Sequence, residues 1–92
     1  MLTMTISKEF TNAVEAEKVC SSFHYELLRH KTYNRDLHRL LGNITKMVEE
    51  LSKLEVVARR SRQRYKVDDK IIEIKQALDY LDKLMLMQKL MS

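Results

Sequence analysis

The chain contains no proline and a single glycine, Gly42, so the residues that most often punctuate turns and end helices are nearly missing. Strands joined by tight hairpins would need more of both. One cysteine, Cys20, cannot close an internal disulfide, and no charged-then-apolar leader opens the chain, so a reducing cytoplasm is the expected setting. Charge interrupts every apolar run well short of the roughly 18–20 residues that span a bilayer, so neither a transmembrane segment nor a membrane partner is expected. The chain also lacks a nucleophile beside a base, paired carboxylates in an apolar setting and a glycine-rich phosphate loop. No catalytic residue and no cofactor is assigned, and the chain is not read as an enzyme.

What is present is a composition of strong helix formers, dominated by Leu, Lys, Glu, Met, Arg and Ala. Its 92 residues can fill one hydrophobic core, giving one helical-bundle domain over 1–92. A domain this small buries only roughly 60–65% of the surface its unfolded chain exposes. Association with copies of itself is therefore a natural supplement.

Apolar spacing of three, four and seven joins Ile6, Phe10, Ala13, Val14, Cys20, Phe23, Leu27 and Leu28 on one face. This predicts a first helix from about residue 6, capped by Thr5 or Ser7, to about residue 31, where Arg29, His30 and Lys31 suit a helix C-terminus. Thr32, Tyr33 and Asn34 form a short break, with Asn34 able to cap the next helix and Asp36 in its first turn. A second stripe follows through Leu37, Leu40, Leu41, Ile44, Met47, Val48, Leu51, Leu54, Val57 and Ala58, ending between Arg60 and Tyr65. Val67, Ile71, Ile74, Leu78, Leu81 and Met85 mark a third helix with Asp68 and Asp69 near its start. The fold class is all-α: three long helices of comparable length in an antiparallel up-down bundle, expected to be oligomeric. The last turns are apolar all round. Leu84, Met85, Leu86, Met87, Leu90 and Met91 are therefore the candidate interface with a partner or another subunit.

Seventeen Lys and Arg against thirteen Asp and Glu give a formal charge of +4, which favours anionic partners without specifying one. Its distribution says more. Arg59, Arg60, Arg62, Arg64 and Lys66 crowd around Tyr65 at the second turn, where guanidinium forks suit phosphate oxygens and the aromatic ring suits an exposed base. The competing reading is a solvated helix end whose cations offset the backbone dipole. A second basic group at the first turn includes Arg35 and Arg39 with Arg29, His30, Lys31 and His38. With a helix of roughly 25 residues between them, rising about 1.5 Å per residue, the two groups stand almost 40 Å apart. A ring of parallel subunits would gather each kind into a band.

Cys20 and His24 lie four apart on one helical face, but two ligands without a second pair read more simply as a core thiol beside a boundary histidine, and no metal is assigned. Arg35 and His38 are closer in sequence than the arginine-histidine pairs of helical ribonucleases, which removes that reading.

From Arg39 to Ser92 the chain resembles a known family. Leu41-Gly42-Asn43-Ile44 opens a long helix, Ala58-Arg59-Arg60-Ser61-Arg62 precedes a short break, and Ala77-Leu78-Asp79-Tyr80-Leu81-Asp82-Lys83-Leu84 leads to a closing Lys89-Leu90-Met91-Ser92. This looks like the accessory variability determinants of diversity-generating retroelements, themselves similar to the ribosomal RNA intervening-sequence four-helix-bundle proteins. The resemblance implies a basic, barrel-like pentamer that binds a reverse transcriptase and its template RNA, with Arg59, Arg60, Arg62 and Arg64 as the contact surface. The leading expectation is an accessory protein that binds nucleic acid, RNA in preference, and a protein partner. The alternative is a protein-interaction module, a phage inhibitor or antitoxin-like partner, docking through the Met-rich C-terminal helix. A membrane-surface role ranks last, because the apolar stripes close the bundle and acids lie among the bases on every helix.

Overall fold

The computed structural model describes residues 8–29 and 35–91, with side chains described as far as Met87. Three helices account for nearly all of them: α1 (Ala13–Arg29), α2 (Arg35–Ser61) and α3 (Arg64–Met91), with no strand among the described residues. They share one core. Phe23 from α1, Ile44 and Leu51 from α2, and Val67, Ile74, Leu78 and Leu81 from α3 are at most 1% exposed. Its overall extents are 49 × 23 × 16 Å, as expected for rods laid side by side. No helix of the described residues is long and apolar enough to cross a membrane.

α3 follows its predicted stripe, and α2 does so apart from Val57. α1 does not. It begins at Ala13, because Asn12 supplies the cap: its side-chain oxygen accepts the Glu15 N–H at 2.9 Å, while the Glu15 carboxylate accepts the Thr11 hydroxyl at 2.6 Å and the Thr11 N–H at 3.2 Å. This is a capping box in which the acid reaches back past the cap residue. Those Thr11 bonds, hydroxyl first, hold the Glu15 carboxyl below its ordinary pKa. The expected caps Thr5 and Ser7, together with Ile6, His30, Lys31 and Asn34, lie outside the described residues. α1 is also shorter than its neighbours, at 17 residues against 27 and 28.

Its buried face is Ala13, Ala16, Val19, Cys20, Phe23 and Leu27. Val14 and Leu28 were expected there but are 64% and 65% exposed. Each stands one residue past a core position, about 100° around the helix, so they fall off the stripe that Ala16 and Val19 complete. Val57 of α2 is likewise exposed, since the core along α2 closes at Leu51 with Leu54 and Ala58 only partly covered.

α2 packs along both other helices, whereas among the described residues no Cα of α1 comes within 8 Å of one of α3. The flank of α3 is instead met by the strap of residues 8–12. Phe10 is buried in the common core, with the Lys75 ammonium 5.5 Å from its ring centroid. Lys8 bridges Asp79 at 2.9 Å and Asp82 at 3.2 Å, and Glu9 meets Lys75 at 3.3 Å. At the strap's end the Ala13 N–H donates to the Glu55 carboxylate of α2 at 3.3 Å, placing negative charge on the α1 N-terminus.

The strap's electrostatics define a pH window. The hydrogen bond to Asp79 raises the Lys8 pKa, so that contribution is complete below the ordinary lysine range and lost as pH climbs through the raised value. The hydrogen bond from Lys8 lowers the Asp79 pKa, so that contribution is complete above the ordinary carboxylate range and lost as pH falls through the lowered value. We expect the Phe10 ring resonances in NMR to hold one set of shifts across neutral pH and to move towards free values at both extremes. A Lys8→Met variant should show the loosened shifts at neutral pH; native shifts there would mean the ion pairs do not hold the strap.

Candidate nucleic-acid interface

The second turn is built by two residues. Arg62 sits in the left-handed region at φ 57°, and its N–H donates to the Ala58 carbonyl at 3.0 Å. That single bond from the residue after the cap closes α2 in the left-handed capping motif. The Gln63 carbonyl then accepts the Lys66 N–H at 3.1 Å and starts α3 at once. Arg64, Tyr65 and Lys66 therefore lie in the first turn of α3, and Asp68 and Asp69 lie beyond that turn. α3 has no acid in its first turn.

Arg59 and Arg60 end α2, where cations offset the dipole. Arg64 and Lys66 begin α3, where its positive end disfavours them. Dipole compensation explains Arg59 and Arg60 and is opposed by Arg64 and Lys66. The N-terminus of α3 is, in turn, favourable ground for an anion.

Pairing separates the corner from the flanks of α3, although Lys18, Lys46 and Lys53 of α1 and α2 are, like the corner, exposed without an ion pair among the described residues. Lys8, Lys70, Lys75 and Lys83 each meet an acid within 3.4 Å, and the bond to Glu50 raises the Lys70 pKa. At the corner only Arg64 is engaged, with its Nε 3.4 Å from Asp68. Arg59, Arg60, Arg62 and Lys66 are exposed and have no ion pair or side-chain hydrogen bond among the described residues. Tyr65 is 61% exposed beside them, and Val56 and Val57 of the last turns of α2 are also open. The apolar composition of the helix does not distinguish these valines, which stand roughly 120–140° around α2 from Leu51, outside the strip that Leu51, Leu54 and Ala58 lay against the core.

Arg62 holds a backbone conformation that costs an L-residue roughly 1–2 kcal/mol and glycine almost nothing. We expect Arg62→Gly to raise unfolding stability by about 1 kcal/mol in urea titrations, while removing one cation from the corner. No gain, or a loss, would show that the Arg62 side chain itself stabilises the turn.

The other basic group is not brought to this corner. Arg35 and Arg39 are exposed at the start of α2, and 24 residues at about 1.5 Å separate Arg35 from Arg59 by roughly 36 Å. Arg29 lies 3.7 Å from Glu26. His38 is half-buried and meets His24 edge-to-face, with centroids 5.9 Å apart. They line an open groove between α1 and α2, of about 530 Å³, with Cys20, Leu41, Gly42 and Thr45. Burial, and then the charge of Glu17, pushes the Cys20 thiol up to about 11, so it is protonated and inert at neutral pH. Among the described residues no group of three or more His, Cys, Asp or Glu is placed to hold a metal ion.

The expected C-terminal interface divides. Met85 is 4% exposed and Leu84 packs against the core, so both close this chain's own bundle. Leu86 and Met87 are 53% and 56% exposed. The side chains of Leu90 and Met91 lie outside the description. Met85 falls inside because it continues the stripe of Ile74, Leu78 and Leu81 at helical spacing.

No protein-family model, curated protein or solved structure matches the chain. The class defined by its own residues is a three-helix protein with a corner of unpaired cations.

Proposed function

We propose that the protein is a non-catalytic accessory factor that binds nucleic acid, RNA in preference, at the corner formed by Arg59, Arg60, Arg62, Arg64, Tyr65 and Lys66. The guanidinium groups and Lys66 hold phosphate oxygens, the α3 N-terminus adds its dipole, and Tyr65 stacks on an unpaired base. One observation carries this reading: four cations within eight residues stand exposed without an acid about a two-residue turn, whereas the other unpaired lysines, Lys18, Lys46 and Lys53, are dispersed along α1 and α2. Arg35 and Arg39 form a second, weaker contact at the far end of a long ligand.

In this reading the helices run up, down and up. The facing of Ala13 with Glu55 and of His24 with His38 supports that order for the first pair. The chain self-associates in the cytoplasm, and its protein partner is a reverse transcriptase, as the resemblance to retroelement accessory proteins implies. Fluorescence anisotropy with a labelled single-stranded RNA tests the core of the proposal. Binding is expected at low salt, with a log–log salt slope of about −3 for four to five neutralised phosphates. Undetectable affinity at low salt removes it.

The exposed Leu86 and Met87 favour a second reading, a module that docks on another protein through its C-terminal turns. Truncation after Leu81 would be a poor test, because it also deletes the core residue Met85. Replacing Leu86 and Met87 with Ser leaves the core intact and is the cleaner variant.

A further inference from the structure

α3 carries a second apolar stripe, on the side away from its core residues. Tyr65, Ile72, Tyr80 and Met87 are 61%, 53%, 58% and 56% exposed. At about 100° per residue they fall within roughly 80° of one another, with Asp69, Gln76 and Lys83 between them. The opposite face, Val67 to Met85, is buried in the chain's own core. A helix with apolar side chains on both faces needs a partner on each. The sequence pattern marks surplus apolar surface only in the last turns of α3.

The partner on the outer face is identified by its charges. About Gln76 the stripe is symmetric: Ile72 and Tyr80 lie four residues to either side, Asp69 and Lys83 seven, Tyr65 and Met87 eleven. Laid antiparallel on a second α3 with Gln76 at the two-fold axis, Ile72 meets Tyr80, while Tyr65 and Met87 lie beyond the ends of the contact. Asp69 then meets Lys83, twice over. Asp69 is exposed and has no partner among the described residues, and Lys83, 72% exposed, has only Asp79 of its own helix at 3.4 Å. A parallel pairing would stack Asp69 on Asp69 and Lys83 on Lys83. An isologous interface requires that residue i touch j and j touch i, and the centre of this face meets that requirement; at its edges the same register sets Glu73 level with Asp79, each already paired with a lysine of its own chain, Lys70 and Lys8.

We infer that two copies of the chain pair antiparallel through the outer face of α3, centred on Gln76. The seam from Asp69 to Lys83 is about 21 Å long and leaves Tyr65 at the corner open to a base. This deepens the self-association in the proposed function and does not depend on nucleic acid. In the dimer the two arginine corners stand at opposite ends of the seam, about 36 Å apart at Arg64, so one long nucleic acid can engage both.

Sedimentation velocity on the full chain at about 100 µM should give twice the 11.0 kDa chain mass. Ile72→Glu should return it to the monomer mass with unchanged helicity. Asp69→Lys, which turns two attractive pairs into two repulsive ones, should weaken the dimer about tenfold. Combining it with Lys83→Asp should restore the dimer. In a Cys20→Ser background, Gln76→Cys should form a disulfide-linked homodimer under mild oxidation. A monomer at that concentration overturns both this inference and the self-association proposed above. An oligomer that withstands Ile72→Glu and shows no Gln76→Cys cross-link overturns this inference alone, because assembly then runs through another face.

Discussion

Replacing Arg59, Arg60, Arg62 and Lys66 together with glutamine is expected to lower affinity for single-stranded RNA by about two to three orders of magnitude at 0.1 M salt. Each phosphate contact to a single strand contributes about 0.7 to the log–log salt slope, so losing four flattens it by roughly 3. The fold should not suffer. All four side chains are exposed and unpaired among the described residues, and such substitutions usually stay within about 0.5 kcal/mol. The paired lysines supply the contrast: Lys70→Gln breaks contacts to Glu50 and Glu73 and so affects the packing of α2 on α3 more than it affects RNA. Arg35→Gln with Arg39→Gln, at the far end of α2, should flatten the slope by no more than about 1.4. If the quadruple variant keeps the parental slope, phosphate is bound elsewhere.

The stripes of α2 and α3 were legible because each repeats at helical spacing over many turns, and one repeat outweighs any local ambiguity. α1 was misread at its start because Ile6, Phe10 and Ala13 extend the same period across a residue that caps. Asn12 followed three residues later by Glu15 is a start signal in the sequence itself, and it outranks the Thr5 and Ser7 alternatives once Phe10 proves to pack outside the helix. The Glu55 contact with the Ala13 N–H was not legible, since it joins residues far apart in the chain through tertiary packing alone. Neither was the left-handed Arg62, for glycine is the usual mark of that conformation. The basic cluster could be found by counting. Which cations are free is a property of the fold: Arg64 and Asp68 pair by helical spacing, whereas Lys8 and Lys75 are neutralised across the strap.

The largest stability effect is expected in α1. Phe23 is 0% exposed at the middle of its buried face, and Phe23→Ala should cost about 3–5 kcal/mol, from lost burial plus the cavity left behind. A chain of this size has roughly 5–14 kcal/mol in total. α1 has little of its own to fall back on, because a 17-residue helix without packing is marginal in water. Among the described residues it lies against α2 and comes within 8 Å of no α3 Cα, so a void at Phe23 loosens its principal attachment. Unfolding by urea, followed by circular dichroism, should therefore show a midpoint lowered by about 1.5–3 M if the slope is near 1.5–2 kcal/mol per M. Leu28→Ala, on the same helix but with its side chain 65% exposed, should change stability by less than about 0.5 kcal/mol. Equal losses in the two variants would mean that Leu28 is buried in solution, either by a different seating of α1 or by a partner subunit, and repeating the titration at a tenfold lower concentration separates those two cases.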